Sequence, residues 1–593
     1  MTDADFNLTG FDIAGIDRMQ HARPEGRVRL QSRAAHALEQ GRMRLLVTAA
    51  MFGLAFGTVG LRLVDVMVAG RGAEPGGGPV AATGKPQAGR GDIVDRNGVL
   101  LATSLATASL YADPKLVIDA EEAARKLAAV LPDLDYKTIL ASLRDDKRFV
   151  WIKRNLTPRQ QFEINRLGLP GVYFQKEERR IYPQGNLAAH VVGFTGVDNN
   201  GLMGLEQSFD KHLKETGEPL QLSIDVRLQH ILRKEIQATI EEFRAIGGAG
   251  IIQDAKTGEV LAMVSLPDFD PHVPGDMPDD TRFNRAALGV YEMGSTMKVL
   301  NTAMALESGH VRMQDSFDAT KPIRIGRFAI SDYHPENRWM TVPEIFRESS
   351  NIGSVRMAQQ VGIQGQRDFM AKMGMLKPAS IEIPEIGWPM VPNPWKEINL
   401  MTVSFGHGIS VSPVQLVSAV SAIVNGGVMH QATLLKRPRG EEAPGTRVLN
   451  AQTSDQMRKL MRLVVTEGTA KQAFAEKASA TTGEALSYMV GGKTGTAEKT
   501  QGRVYSRNAR LSNFVGSFPI NDPRYTIFIM IDEPKGTKKS FGYATAGWTA
   551  APAARRVIDQ IGPLLGVKPV NVASPDVQQA LAIDGMRGTL ASY

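Results

Sequence analysis

Three short runs carry residues that could do chemistry. Ser295-Thr296-Met297-Lys298 places a hydroxyl and an amine three positions apart, so on a helix they share a face one turn apart. A serine hydroxyl is a weak nucleophile until a base takes its proton, and a lysine is a base only when burial or a neighbouring cation keeps it neutral. Ser349-Ser350-Asn351 adds a second hydroxyl and an amide. Lys493-Thr494-Gly495-Thr496 adds a cation and two hydroxyls around a residue without a Cβ, where an anionic peptide end can lie close to a strand. Together they predict acyl transfer through a covalent acyl-serine, with no cofactor.

Each run alone is weak. At average composition Ser-x-x-Lys arises roughly twice by chance in a chain this long, and Ser208-Phe209-Asp210-Lys211 repeats the spacing. Context separates them. Ser295 follows Gly294 and opens an apolar helical run, Val299 to Leu306, whereas Ser208 lies in a charged stretch. Lys493 follows Gly491-Gly492 and a short strand-like segment, Leu486 to Val490. Gaps of 54 and 144 residues between the first serines and then to the lysine suit one domain.

The 593 residues allow several domains, and the net charge of +7 with a pI near 9.3 is a mild basic excess spread along the chain. No nucleic-acid motif accompanies it. The absence of cysteine excludes disulfides, thiol catalysis and cysteine-ligated metal. The ten histidines show no ligand spacing, so no metal site is expected.

Leu45 to Leu61 is uncharged, and extended to Met67 it reaches the ~20 residues that cross a bilayer. Some 44 residues precede it, too many for a signal peptide's charged region. Residues 45–67 are therefore expected to be an uncleaved anchor. Arg27, Arg29, Arg33, Arg42 and Arg44 before it place the 1–44 tail in the cytoplasm and the rest outside.

Residues 68–89, rich in Gly, Pro and Ala, read as a flexible linker. A first domain, 90–218, opens with a hairpin signal at Asn97-Gly98 and carries helix starts at Asp119 and at Thr157-Pro158. Arg179 to Gly204 reads as mixed strand and turn. A second domain, 219–567, opens with a strand at Leu220 to Asp225 and an amphipathic helix at Val226 to Phe243. A hairpin follows near Gly250 to Val264, and a strand pair flanks Asn521-Asp522-Pro523. The polar stretch Lys499 to Arg510 reads as a loop bordering an acceptor channel, and His407 as structural. Residues 568–593 form a tail. Antiparallel strands with intervening helices make the class α+β.

With these residues in hand, the chain resembles the class B penicillin-binding proteins, most of all the division-specific septal peptidoglycan D,D-transpeptidases of Gram-negative bacteria. The three runs match the family's Ser-x-x-Lys, Ser-x-Asn and Lys-Thr-Gly set. Arg90 to Gly98, Gly193-Phe194-Thr195 and Gly201 to Glu206 resemble its pedestal domain, and Phe405-Gly406-His407-Gly408 with Pro413, Gln415 and Leu416 a further landmark. Met293 stands where many relatives have Pro, which should loosen the turn before the nucleophile. The resemblance implies a five-stranded antiparallel sheet between helices, with the site at one strand's edge.

It also implies roles. Ser295 is the nucleophile, Lys298 its base, Ser349 a proton shuttle, and Asn351 holds Lys298 and the substrate carbonyl. Lys493, Thr494 and Thr496 take the donor's terminal carboxylate, Gly495 leaves room for it, and the N–H groups of Ser295 and Thr496 form an oxyanion hole. The implied partners are peptidoglycan stem peptides, β-lactams, a septal glycosyltransferase and other division membrane proteins, at the inner membrane. Rival readings are a hydrolase (a β-lactamase or carboxypeptidase), an elongation-type transpeptidase, and a division scaffold or β-lactam sensor whose chemistry is dispensable.

Overall fold

The computed structural model describes residues 43, 46–61 and 89–583, apart from 327, 439, 476–485, 502–503, 573 and 581. The chain divides into two units, 1–85 and 86–593. In the first, residues 46–61 form a helix with every side chain exposed. Residues 62–67, which would bring the expected span to length, lie outside the described residues, as do 1–42 and the linker 68–88. Among the described residues no helix is long and apolar enough to cross a membrane.

The second unit begins with the expected hairpin. Strand β1 (Ile93–Val94) turns into β2 (Leu100–Ala112). Gly98 takes φ +86°, and the Asp95 carboxylate accepts from Asn97 N and Val99 N at 2.7 and 2.8 Å. The outer half of β2 pairs with β3 (Val150–Leu156) on one side and β4 (Val172–Ile181) on the other. Helices α1 (Ala120–Val130), α2 (Tyr136–Leu143) and α3 (Pro158–Arg166) pack beneath these strands. Asp119 caps α1, and Thr157 and Gln160 cap α3 reciprocally, as the sequence predicts. Leu110, Leu127, Leu131 and Ile139 fill a small separate core.

Arg179 to Gly204 departs from the strand-and-turn expectation. After Ile181 the chain forms short helical pieces over 185–192 and a single bridge, Thr195 to Gly201. The strand expected to open the second domain is β5 (Leu220–Gln221), which runs parallel to β1 and then hands over, Ser223 N donating to Leu434 O at 2.8 Å. The main core accordingly runs without a break from Ile93 and Leu101 to Leu228, Ile251 and Phe528.

Helix α4 (Val226–Phe243) leads into β6 (Gly247–Asp254) and β7 (Val260–Leu266). Then come α5 (Lys298–Glu307), α6 (Asn351–Lys372), α7 (Pro413–Val424), α8 (Ala451–Thr466), β8 (Gly491–Gln501), β9 (Val504–Phe518), β10 (Tyr525–Asp532) and α9 (Ala550–Leu564). The five strands form one antiparallel sheet in the order β8-β9-β10-β6-β7. Central β10 is buried throughout, which explains its unbroken apolar run. Helices α4 and α9 pack together on one side of the sheet, α4 against β6 and β7 and α9 against β9 and β10; α7 and α8 pack together and meet β6, β10 and β8. Gly250 makes room for α4, since a Cβ there would lie 2.6 Å from Ile236 Cδ1. The stretch 499–510 is not a loop: β8 continues to Gln501 and β9 begins at Val504, so the two strands extend as a ribbon past the sheet.

Candidate active site

Ser295 sits on a single 3-10 turn, Gly294–Met297, that feeds straight into α5. Gly294 takes φ +55°, and its N–H donates to Gly406 O at 3.2 Å. A Cβ on Gly406 would lie 2.0 Å from Gly294 O, so the Phe405–Gly408 landmark is the backing of the nucleophile's turn. Met293, expected to loosen this turn, is fully buried, and its carbonyl accepts from Thr296 Oγ1 at 2.8 Å and Asn513 Nδ2 at 3.2 Å.

Lys298 opens α5 and is 1% exposed. Its Nζ donates to Ser349 O, to Ser349 Oγ at 3.2 Å and to Asn351 Oδ1 at 2.7 Å; none of these bonds goes to Ser295. Burial is the main force holding its pKa well below the ordinary lysine value. The Lys493 charge pushes the same way, and Asp332 opposes. A buried ammonium without a carboxylate in contact is thus biased toward the neutral form, the state a base needs.

Ser349 ends the short helix Val342–Glu348 in a left-handed conformation, φ +59°. For a serine this is a strained state that persists only when surroundings hold it. It aims both Ser349 oxygens at Lys298, while Ser350 turns away to cap α6 by accepting from Gly353 N at 2.9 Å. Sequence reasoning missed what holds this segment. Asp332 accepts from Ser350 Oγ at 2.7 Å and from the N–H groups of Asn351 and Ile352, setting a carboxylate on the first turn of α6. Asn351 Nδ2 donates to Ser331 O at 2.9 Å.

Lys493 lies on edge strand β8 and is 0% exposed. Its Nζ donates to Ser349 Oγ at 2.9 Å and to Thr494 O at 3.0 Å, and burial lowers its pKa to about 7. Ser349 Oγ therefore lies within hydrogen-bond reach of both lysines. Gly495 faces the same way: a Cβ would lie 2.7 Å from Met293 O and 3.0 Å from Thr296 Cγ2, so the strand can approach the nucleophile's turn only without one.

Thr494 and Thr496 alternate to the other side of β8. Thr496 Oγ1 accepts from Ala546 N at 3.3 Å, and Thr494 Oγ1 shares a hydrogen bond with Thr469 Oγ1 at 2.5 Å. Thr469 is a second residue the sequence did not flag. A Cβ on Gly294 would lie 2.8 Å from Thr496 O, so the two residues expected to form the oxyanion hole are on facing segments.

The structure thus brings all eight expected residues together and leaves the decoy out. Ser208 and Lys211 are exposed and separated by the break between two short helices. His407 makes an edge-to-face contact with Phe405 at 5.3 Å, and burial lowers its pKa. Lys499, expected to border a channel, is held by Asp532 at 2.9 Å and Glu533 at 3.0 Å.

Residues 248–559 match the penicillin-binding protein transpeptidase domain and 85–237 the penicillin-binding protein dimerisation domain. The chain is 39% identical to the probable peptidoglycan D,D-transpeptidase FtsI of Caulobacter vibrioides, over 94% of this chain and 93% of that one. It is 30% identical to the peptidoglycan D,D-transpeptidase FtsI of Escherichia coli K12, over 77% and 81%. The fold is similar to penicillin-binding protein 3 of Mycobacterium tuberculosis complexed with aztreonam, with a TM-score of 0.63 at 24% identity, over 82% and 98%.

Proposed function

The chain belongs to the class B penicillin-binding proteins of the FtsI type, and from that premise we propose that it cross-links peptidoglycan stem peptides through an acyl-enzyme on Ser295. One observation carries the chemistry: Lys298 is buried among Ser349 and Asn351 with a second buried lysine beyond Ser349 and no carboxylate in contact.

In the first half-reaction neutral Lys298 takes the Ser295 proton as Oγ attacks the penultimate D-alanine carbonyl of a donor stem. The C–N bond breaks, and the terminal D-alanine leaves as its amine gains a proton through Ser349. In the second half the amine of a neighbouring stem attacks the acyl-serine, its proton passes back along the same groups, and Ser295 is released. The backbone donors at Ser295 and Thr496 stabilise the oxyanion, a contribution of about 3–4 kcal/mol for one such donor. Thr494, Thr496 and Thr469 receive the donor carboxylate, with the field of Lys493 behind them. β-Lactams, which mimic the terminal dipeptide, acylate the same oxygen.

The FtsI relatives favour septal synthesis over elongation. Residues 45–67 anchor the chain in the inner membrane with the 1–44 tail in the cytoplasm, where a septal glycosyltransferase and other division proteins are its partners. The uncharged run and the arginines before it support this, and a phosphatase fusion after residue 85 should be active outside the cytoplasm.

Fluorescent penicillin tests the site. Wild type and Ser208→Ala should label equally and Ser295→Ala not at all. An adduct on another residue in intact-mass spectra refutes the assignment.

A further inference from the structure

The outer half of the pedestal sheet has two unlike faces. Leu110, Ala112, Val172 and Phe174 pack toward α1–α3. The alternate positions project the other way. Register sets Tyr111 opposite Trp151 of β3 and opposite Tyr173 of β4, and Phe149 lies two positions before Trp151 on the same face. The four rings form one platform. Phe149 stacks on Tyr111 at 4.6 Å and meets Trp151 edge-on at 4.9 Å, and Tyr111 lies 5.6 Å from Tyr173. Phe149 is 44% and Tyr173 41% exposed, and none of the four belongs to either core.

Folding does not explain such a platform, because burying one such ring would contribute about 1.5–3 kcal/mol that exposure gives up. Grouped exposed aromatics mark a binding surface. The rim narrows the ligand. Arg154, whose guanidinium lies 5.2 Å over Trp151, is paired with Glu177 at 2.6 Å and Asp198 at 2.7 Å. Compensated charge disfavours a polyanion, which needs unpaired cations. It suits a neutral ligand with flat C–H faces for the rings and hydroxyls for the planar groups of Arg154, Glu177 and Gln175.

We propose that this face binds a polysaccharide strand of pyranose rings. That the sugar is the backbone of the polymer whose stems are cross-linked rests on the function proposed above; the platform itself does not. It holds the glycan on the pedestal while its stems reach Ser295.

The test uses the full chain in detergent micelles and peptidoglycan strands stripped of stem peptides, with binding read by calorimetry. Stripped strands carry nothing for the Ser295 site, so this binding and penicillin acylation can fail separately. Wild type should bind saturably, Trp151→Ala should weaken binding about tenfold or more, and Tyr173→Ala less. Trp151→Phe should restore most of it, and all three should be acylated by penicillin at the wild-type rate. Absent binding, or equal binding by wild type and Trp151→Ala, overturns the proposal. So does loss of a protein partner, and not of strands, in Trp151→Ala.

Discussion

Two regions of this molecule bury cations, and they handle them in opposite ways. At the base of the pedestal Glu206, 0% exposed, accepts from Arg90 Nε at 2.7 Å and Arg180 Nε at 2.7 Å, and Asp210 takes a further Arg90 nitrogen. Charge meets charge, and the strands and helices carrying these residues are tied together. At the catalytic centre Lys298 and Lys493 are as deeply buried but are given hydroxyl, amide and carbonyl oxygens. The nearest acid acting on Lys298, Asp332, spends its oxygens on the start of α6. Denied a counter-ion, these amines are relieved by losing a proton. Burial with an anion builds structure, and burial without one builds reactivity.

The largest test of that contrast is Lys298→Met. Penicillin acylation measured by stopped flow should fall roughly 10²–10⁴-fold. Chemical denaturation at pH 7 should meanwhile show a gain of about 1–2 kcal/mol in unfolding free energy. The sign follows from linkage: a lysine depressed in the folded state costs stability at every pH below its unfolded value, increasingly as pH falls toward the folded one. Equal loss of stability and activity would erase the distinction. Glu206→Gln should do the reverse. It leaves buried Arg180 without an anion and Arg90 with Asp210 alone, and should cost ~3–5 kcal/mol in the same denaturation experiment, while the protein that remains folded is acylated at the wild-type rate.

Opposite pH shifts sharpen the comparison further. Acylation requires neutral Lys298, so its rate rises with pH through the Lys298 titration. Removing the Lys493 cation in Lys493→Met raises the Lys298 pKa and should move that limb to higher pH. Removing the anion in Asp332→Asn should move it to lower pH. Shifts of the same sign would show that the two groups act on Lys298 through packing, not charge. The smallest effect belongs to Thr469→Val, which loses one partly exposed hydrogen bond. It should slow acylation by the few-fold that corresponds to about 0.5–1.5 kcal/mol.

Much of this was legible in the sequence, and the unread parts share a cause. Helix Val226–Phe243 and the hairpins at 247–266 and 504–532 announce themselves through local periodicity and turn residues. The catalytic set could be read because its runs have fixed local spacing. Strand order could not, since β10 pairs with β6 more than 250 residues earlier. Residues 499–510 passed for a loop because a ribbon projecting past the sheet needs no apolar face. Asp332 and Thr469 belong to no run, and their roles exist only once the fold brings them to Asn351 and Thr494. The left-handed Ser349 is likewise imposed from outside its own neighbours in sequence.

Because Ser349 Oγ touches both amines, at 3.2 and 2.9 Å, the three groups form one hydrogen-bonded chain. A hydrogen ion lifted from the nucleophile can pass along sheltered oxygens and nitrogens to the leaving amine without entering bulk water. Turnover should then be indifferent to buffer concentration at fixed pH, as if the enzyme carried its own buffer.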